Sequence, residues 1–209
     1  MIRDDPRFRS RLAWAGIVAL LAVAAWFSAL EKGNAATATV LGAVGCLGII
    51  LPPRERMAVL PTRVRALPRG LDAAPVLATL LSSPGYGLNW FYGVNPYDEI
   101  VHLVCGCLSG AVFAGLLLAD GRARGVRSLL LLGLAFGVVL AVAWEGFEWA
   151  VRIIGDFTDT WTDIVLTAAG GAIGSALWGA GPGGARQVRK GETGDGGTRP
   201  VGPPVSPSA

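Results

Sequence analysis

Long stretches of this chain carry no charged side chain. Residues 12–30, 35–51, 103–119 and 128–144 contain no Asp, Glu, Lys or Arg, and 164–185 repeats the pattern towards the end. A run of about 20 apolar residues spans the hydrocarbon core of a bilayer, so runs of this length read as membrane-crossing helices. Composition agrees. The chain is 52% hydrophobic and only 16% charged, whereas soluble domains carry about 25% charge. The shortage of charge argues against a soluble all-helical core. The expected fold is all-α, a polytopic transmembrane helical bundle.

Residues 1–11 form a basic arm with Arg3, Arg7, Arg9 and Arg11, ahead of the first apolar run. That run is long for a cleaved signal sequence and further runs follow it, so it reads as an uncleaved first helix. The bundle occupies residues 12–180, with six helices at about 12–30, 35–51, 71–90, 97–119, 128–155 and 158–180. Pro52 and Pro53 stop the second. The third is marginal by hydropathy, because Asp72, Pro75, Pro84, Gly85 and Gly87 interrupt it. Charge arbitrates. Basic residues in short loops stay cytoplasmic. If the third segment spans, sixteen of the eighteen Lys and Arg lie inside, and only Lys32 and Arg152 lie outside. The expectation is therefore six helices with both termini inside, multi-pass in the plasma (inner) membrane. Residues 181–209, rich in Gly and Pro, are expected to form a disordered cytoplasmic tail.

The net charge of +3 raises nucleic acid as a partner. The positions argue against it, since basic residues flank the apolar runs instead of sharing one polar face. Cys46, Cys105 and Cys107 sit inside apolar runs without metal-binding spacing and read as small packing residues. The pairs Gly106/Gly110, Gly133/Gly137 and Gly170/Gly174 let helices approach closely, within the bundle or across a homodimer interface.

Against this apolar background three stretches carry costly charge. Asn95-Pro-Tyr-Asp-Glu-Ile-Val-His102 opens the fourth helix and contains the only histidine. Trp144-Glu-Gly-Phe-Glu-Trp149 lies towards the end of the fifth, and Asp159-Thr-Trp-Thr-Asp163 opens the sixth. Asp98 and His102 share a helix face, as do Asp159 and Asp163, and Glu145 and Glu148. The predicted topology puts all of them in the outer half of the bundle. An ionisable group at mid-membrane costs at least about 2.5 kcal/mol, so these groups are expected to face one another and share protons or a cation. Mixed carboxylate and imidazole donors at i,i+3 and i,i+4 spacing are similar to carboxylate-bridged metal sites in helical bundles. Asp98, His102, Glu145 and Asp163 are the candidate ligands of a divalent metal ion, with Glu148 and Asp159 as candidate catalytic bases.

Each residue also has a plainer reading. Asp98 and Asp159 suit helix N-termini, Glu148 precedes Arg152 in the favourable i,i+4 order, and a lone histidine commonly serves as an interhelical hydrogen bonder. Glu145 and Asp163 have no such local explanation. Trp90, Tyr92, Tyr97, Trp144, Trp149 and Trp161 read as an outer aromatic belt.

The residues 88–103, the Trp144–Trp149 block and Asp159-Thr-Trp-Thr-Asp-Ile164 with Gly170-Gly171-Ala172 resemble the bacterial YjdF-like integral membrane proteins. More distantly, the order Asp-x3-His, Glu-x2-Glu, Asp, small-residue run is similar to the VanZ-like superfamily, named for a teicoplanin-resistance protein. The likeness covers residues 60–178. It implies a polytopic membrane protein and, through the VanZ-like proteins, a link to the envelope and glycopeptide tolerance. The VanZ-like pattern has Gln where this chain has Glu148, and Asn after the last Asp where this chain has Thr167 and Ala168.

Three functions follow from these readings. The first is metal-dependent chemistry on an envelope lipid or lipid-linked precursor. The second is a proton- or cation-coupled transporter or flippase. The third is a non-catalytic envelope or glycopeptide-resistance factor whose polar cluster fixes helix register. Nothing resembles a nucleotide-binding loop, a haem motif or a nucleophilic triad, and a single histidine excludes the His-rich zinc sites.

Overall fold

The structure is a computed structural model that describes residues 10–92, 95–151 and 157–194. Every regular element among them is helical. Ser10 caps α1 (Arg11–Ala29) by accepting a hydrogen bond from the Ala13 amide at 3.3 Å. Glu31, at φ 59°, turns the chain back into α2 (Gly33–Ile50). After the two prolines come a single turn at Arg54–Arg56, the short α3 (Thr62–Arg65) and a turn at Arg69–Asp72. They deliver the chain to α4 (Ala73–Leu88), which ends on Asn89 in the left-handed conformation at φ 60°. A turn at Trp90–Tyr92 precedes α5 (Tyr97–Leu118), α6 (Val126–Val151), α7 (Phe157–Ala180) and α8 (Pro182–Gly194).

Among the described residues five helices, α1, α2, α5, α6 and α7, are long and apolar enough to cross a membrane. The third predicted segment is shorter than expected. Its first residues form the Arg69–Asp72 turn, and α4 proper is 16 residues with Pro84 inside it. Pro84 supplies no amide hydrogen. The hydroxyls of Thr79, Ser82 and Ser83 bond back to carbonyls four residues earlier in the same helix. The expected tail also needs correction. Residues 182–194 are helical, and Gln187 Nε2 donates to the Gly115 carbonyl at 2.7 Å, docking α8 on α5. Residues 1–9, 93–94, 152–156 and 195–209, with Arg3, Arg7 and Arg9 of the basic arm, Arg152 and Asp156, lie outside the described residues.

Two kinds of packing build the bundle. In one half, α1, α2 and α4 enclose Ala13, Ile17, Leu20, Ala43, Cys46, Ile50, Ala73 and Val76. There α2 and α4 lie side by side and are tied at both ends. Lys32 donates to the Gly87 carbonyl at one end, and Arg69 bonds both Asp72 and the Ile50 carbonyl at the other. In the other half, α5 and α6 pack on α7 through backbone contacts. A methyl group at Gly170 would collide with the Leu103 carbonyl, and one at Gly174 with the Cys107 carbonyl. Small residues permit this approach where apolar burial gives helices little reason to associate. The glycine pairs are thus used within the protomer.

The basic segment between α2 and α4 is not a solvated strip. Arg54, Arg69 and Asp72 are buried. Arg54 bonds Asp72 and the Leu67 carbonyl, and Arg69 also makes a two-pronged pair with Glu55 at 2.7 and 2.8 Å.

Candidate functional site

The glycine seam sets the register that assembles the site. Gly106 and Gly110 of α5 lie against Thr167 and Gly171 of α7, and Ser175 donates to the Gly110 carbonyl at 2.9 Å. One turn towards the start of each helix, the same register sets His102 opposite Asp163 and Thr167. His102 Nδ1 lies 3.1 Å from Thr167 Oγ1. Its Nε2 lies 3.5 Å from Asp98 Oδ1, one turn earlier on α5, and 3.5 Å from Asp163 Oδ2. One potential ligand atom from each of Asp98, His102 and Asp163 falls within 4.8 Å of the others. Asp163 is 3% exposed, so its charge has little access to water.

This arrangement has a charge problem with a limited set of solutions. In the tautomer whose Nδ1–H donates to Thr167, Nε2 presents a lone pair towards two carboxylate oxygens; in the other, Nδ1 accepts from the Thr167 hydroxyl and Nε2–H donates to one of them. In the first, three acceptors facing one another require a proton or a cation between them. The two 3.5 Å separations at Nε2 are compatible with a shared cation. Ligands about 2.1 Å from one ion at tetrahedral angles sit roughly 3.4 Å apart. Thr167 would then be the outer-shell partner that fixes the imidazole ring, as metal-bound histidines generally require.

The fourth candidate ligand stands apart. Glu145 is buried on α6 and hydrogen-bonded with Thr160, but it does not belong to the close group of three. It acts on that group through its charge. The carboxylates of Asp98, Asp159, Glu145 and Glu148 all lie within electrostatic reach of Asp163. Glu148 accepts a hydrogen bond from Trp144 Nε1 at 2.8 Å. As expected of N-terminal carboxylates, Asp98 lies in the first turn of α5 behind Pro96, and Asp159 in the first turn of α7. Tyr97, expected in the aromatic belt, instead turns inward and donates to the Leu81 carbonyl.

A cavity of about 800 Å³ adjoins the cluster, between α2 and α4 on one side and α5, α6 and α7 on the other. Asp98, His102, Glu148, Asp159 and Thr167 line one part of its wall, and Ala35, Ala38, Val101 and Leu140 are among its apolar lining. Both candidate bases therefore face the same space as His102. Thr167 is the contributor that residue patterns did not single out. Its signal was present, since it follows Asp163 by four residues and so shares its face.

A family model described as "Predicted membrane protein (DUF2238)" matches residues 11–181. No curated protein and no solved structure matches the chain.

Proposed function

Because the chain belongs to the DUF2238 family of predicted membrane proteins, we propose that it crosses the plasma membrane six times, both termini cytoplasmic, around an outward-facing divalent metal site. The site serves chemistry on a membrane lipid or lipid-linked envelope precursor. The convergence of Asp98, His102 and Asp163 within 4.8 Å carries the proposal. Two carboxylates and one imidazole suit a borderline divalent ion such as Mn, Fe or Zn. A bound ion supplies Lewis acidity, polarising a phosphoryl oxygen or activating water. Glu148 and Asp159, on the wall of the same cavity, take the proton as general bases. Glu145 adds negative charge beside the ligands, held by Thr160.

The sixth crossing is α4. Its attachment to α2 at both ends supports a path through the same depth of membrane. That path keeps the charge bias, with sixteen of the eighteen Lys and Arg inside. It also places the first turns of α5 and α7, and with them the site, in the outer half.

The test is elemental analysis of the detergent-purified protein beside His102→Ala and Asp163→Asn. The expected result is about one equivalent of a divalent metal in the wild type and loss of it in both variants. A folded wild type without metal after reconstitution with Mn, Zn, Mg or Fe overturns the proposal. Protons would then balance the carboxylates, as in a transport relay.

A further inference from the structure

We propose that the arginine-rich end of the bundle, formed by the α2–α4 connection, the α5–α6 loop and α8, binds the headgroups of anionic phospholipids. Asp98, His102 and Asp163 sit towards the starts of α5 and α7, whereas this surface lies beside and beyond their last residues, Leu118 and Ala180. The two sites are therefore independent, and either can fail without the other.

Tertiary contacts gather three separate segments at this end. Arg63 of α3 pairs with Asp120 of the α5–α6 loop at 3.2 Å. Leu67, Leu71 and Trp178 close on Gly115 near the end of α5, and Gln187 fixes α8 to the carbonyl of the same residue. Residues 51–72, 119–127 and 181–189 together hold ten arginines and only three carboxylates, Glu55, Asp72 and Asp120. All three carboxylates are already paired with arginine. Arg56, Arg122, Arg127 and Arg186 are exposed, and none of them has a carboxylate partner among the described residues. Positive charge this concentrated attracts polyanions.

Position and apolar surface select a lipid over a soluble polyanion. The α5–α6 loop joins two helices long and apolar enough to cross a membrane, so Arg122 and Arg127 stand where hydrocarbon gives way to headgroups. Val59 lies outside every such helix and is 84% exposed, the most of any large apolar side chain described. In the chain it stands between Arg56 and Arg63. An apolar side chain flanked by arginines fits a membrane surface, where the aliphatic group enters the acyl boundary and the guanidinium groups bond phosphates. A soluble polyanion would leave Val59 in water. In the proposed topology this end faces the cytoplasmic leaflet, where anionic lipids concentrate.

The test is native mass spectrometry of the full-length protein with phosphatidylglycerol and phosphatidylcholine of the same acyl chains, with metal content measured on the same samples. The expected result is at least about tenfold tighter retention of phosphatidylglycerol, a preference that shrinks as salt is raised. Combining Arg122→Gln, Arg127→Gln and Arg186→Gln should remove most of it without changing metal content or melting temperature, and Val59→Ser should weaken both lipids. Equal retention of the two lipids by the wild type overturns the proposal, as does a preference that survives intact in the folded triple variant. So does displacement of bound phosphatidylglycerol by a single-stranded oligonucleotide, which would give this face to a soluble polyanion. Wild type that prefers phosphatidylglycerol but takes up no metal overturns the metal site alone. The deciding comparison is between two lipids on the wild type and does not depend on any variant folding.

Discussion

Arg69 shows how a single side chain can join segments that look unrelated in sequence. Its guanidinium bonds Glu55, Asp72 and the carbonyls of Ile50 and Pro52. These contacts close the end of α2 onto the start of α4. Burying such charges is costly unless every donor and acceptor finds a partner, and here most do. Hydrogen bonds from Arg69 hold the Glu55 carboxyl below its ordinary value of 4.5. A depressed folded pKa means that the stabilisation is complete above the unfolded value and fades as pH falls through the folded one. The melting-temperature gap between wild type and Glu55→Gln, measured in detergent at one scan rate, should therefore be largest near pH 7. It should shrink towards pH 3. A gap that is unchanged at pH 3 would show that the ion pair contributes nothing through its charge. In the sequence, Asp72 looked like a defect in an apolar run and Arg54 and Arg69 like loop charges. Their pairing depends on a chain reversal that no local pattern encodes.

At the scale of helices, the α5–α7 seam is the decisive element. Gly170 touches α5 backbone at Leu103, next to His102, and Gly174 touches it at Cys107. Adding a methyl group at Gly170 must push the helices apart or shift their register, at about 1–3 kcal/mol for an overpacked contact. The candidate ligand group spans that seam, with Asp98 and His102 on one helix and Asp163 on the other. Gly170→Ala should lower the melting temperature and reduce bound metal together. Gly48→Ala, which meets open space on α2, should change neither. Metal retained in full by a destabilised Gly170→Ala would separate the seam from the site. The glycine spacing itself was legible in the sequence. Its use within one protomer instead of between two became clear only from the opposing carbonyls.

For the whole molecule the open structural choice is the path of α4. If it crosses, the α1–α2 turn and the start of α5 share the outer face, while the α5–α6 loop lies inside. In a background with Cys46→Ala, Cys105→Ala and Cys107→Ala, a membrane-impermeant thiol reagent on intact cells should label Asn34→Cys and Asn95→Cys. Ala123→Cys should label only after permeabilisation. Labelling of Ala123→Cys in intact cells, with Asn95→Cys protected, would make α4 re-entrant and place the site on the cytoplasmic side.

The sequence by itself determined the all-helical class of the fold and marked the candidate site residues. Uncharged runs of bilayer length leave little but helices, and a charge placed inside such a run must find a partner or be expelled. Those two facts located Asp98, His102, Glu145, Glu148, Asp159 and Asp163 without any coordinates. Tertiary structure decided which of them meet. Helical periodicity fixes the face on which a residue sits, but not the register between two helices. Here backbone contact at glycines sets that register. It brings Asp98, His102 and Asp163 within 4.8 Å with Thr167 behind the imidazole, and leaves Glu145 on α6 with Thr160. The cavity beside them is lined from α2, α4, α5, α6 and α7 together, a relation between distant segments that no single stretch of chain contains.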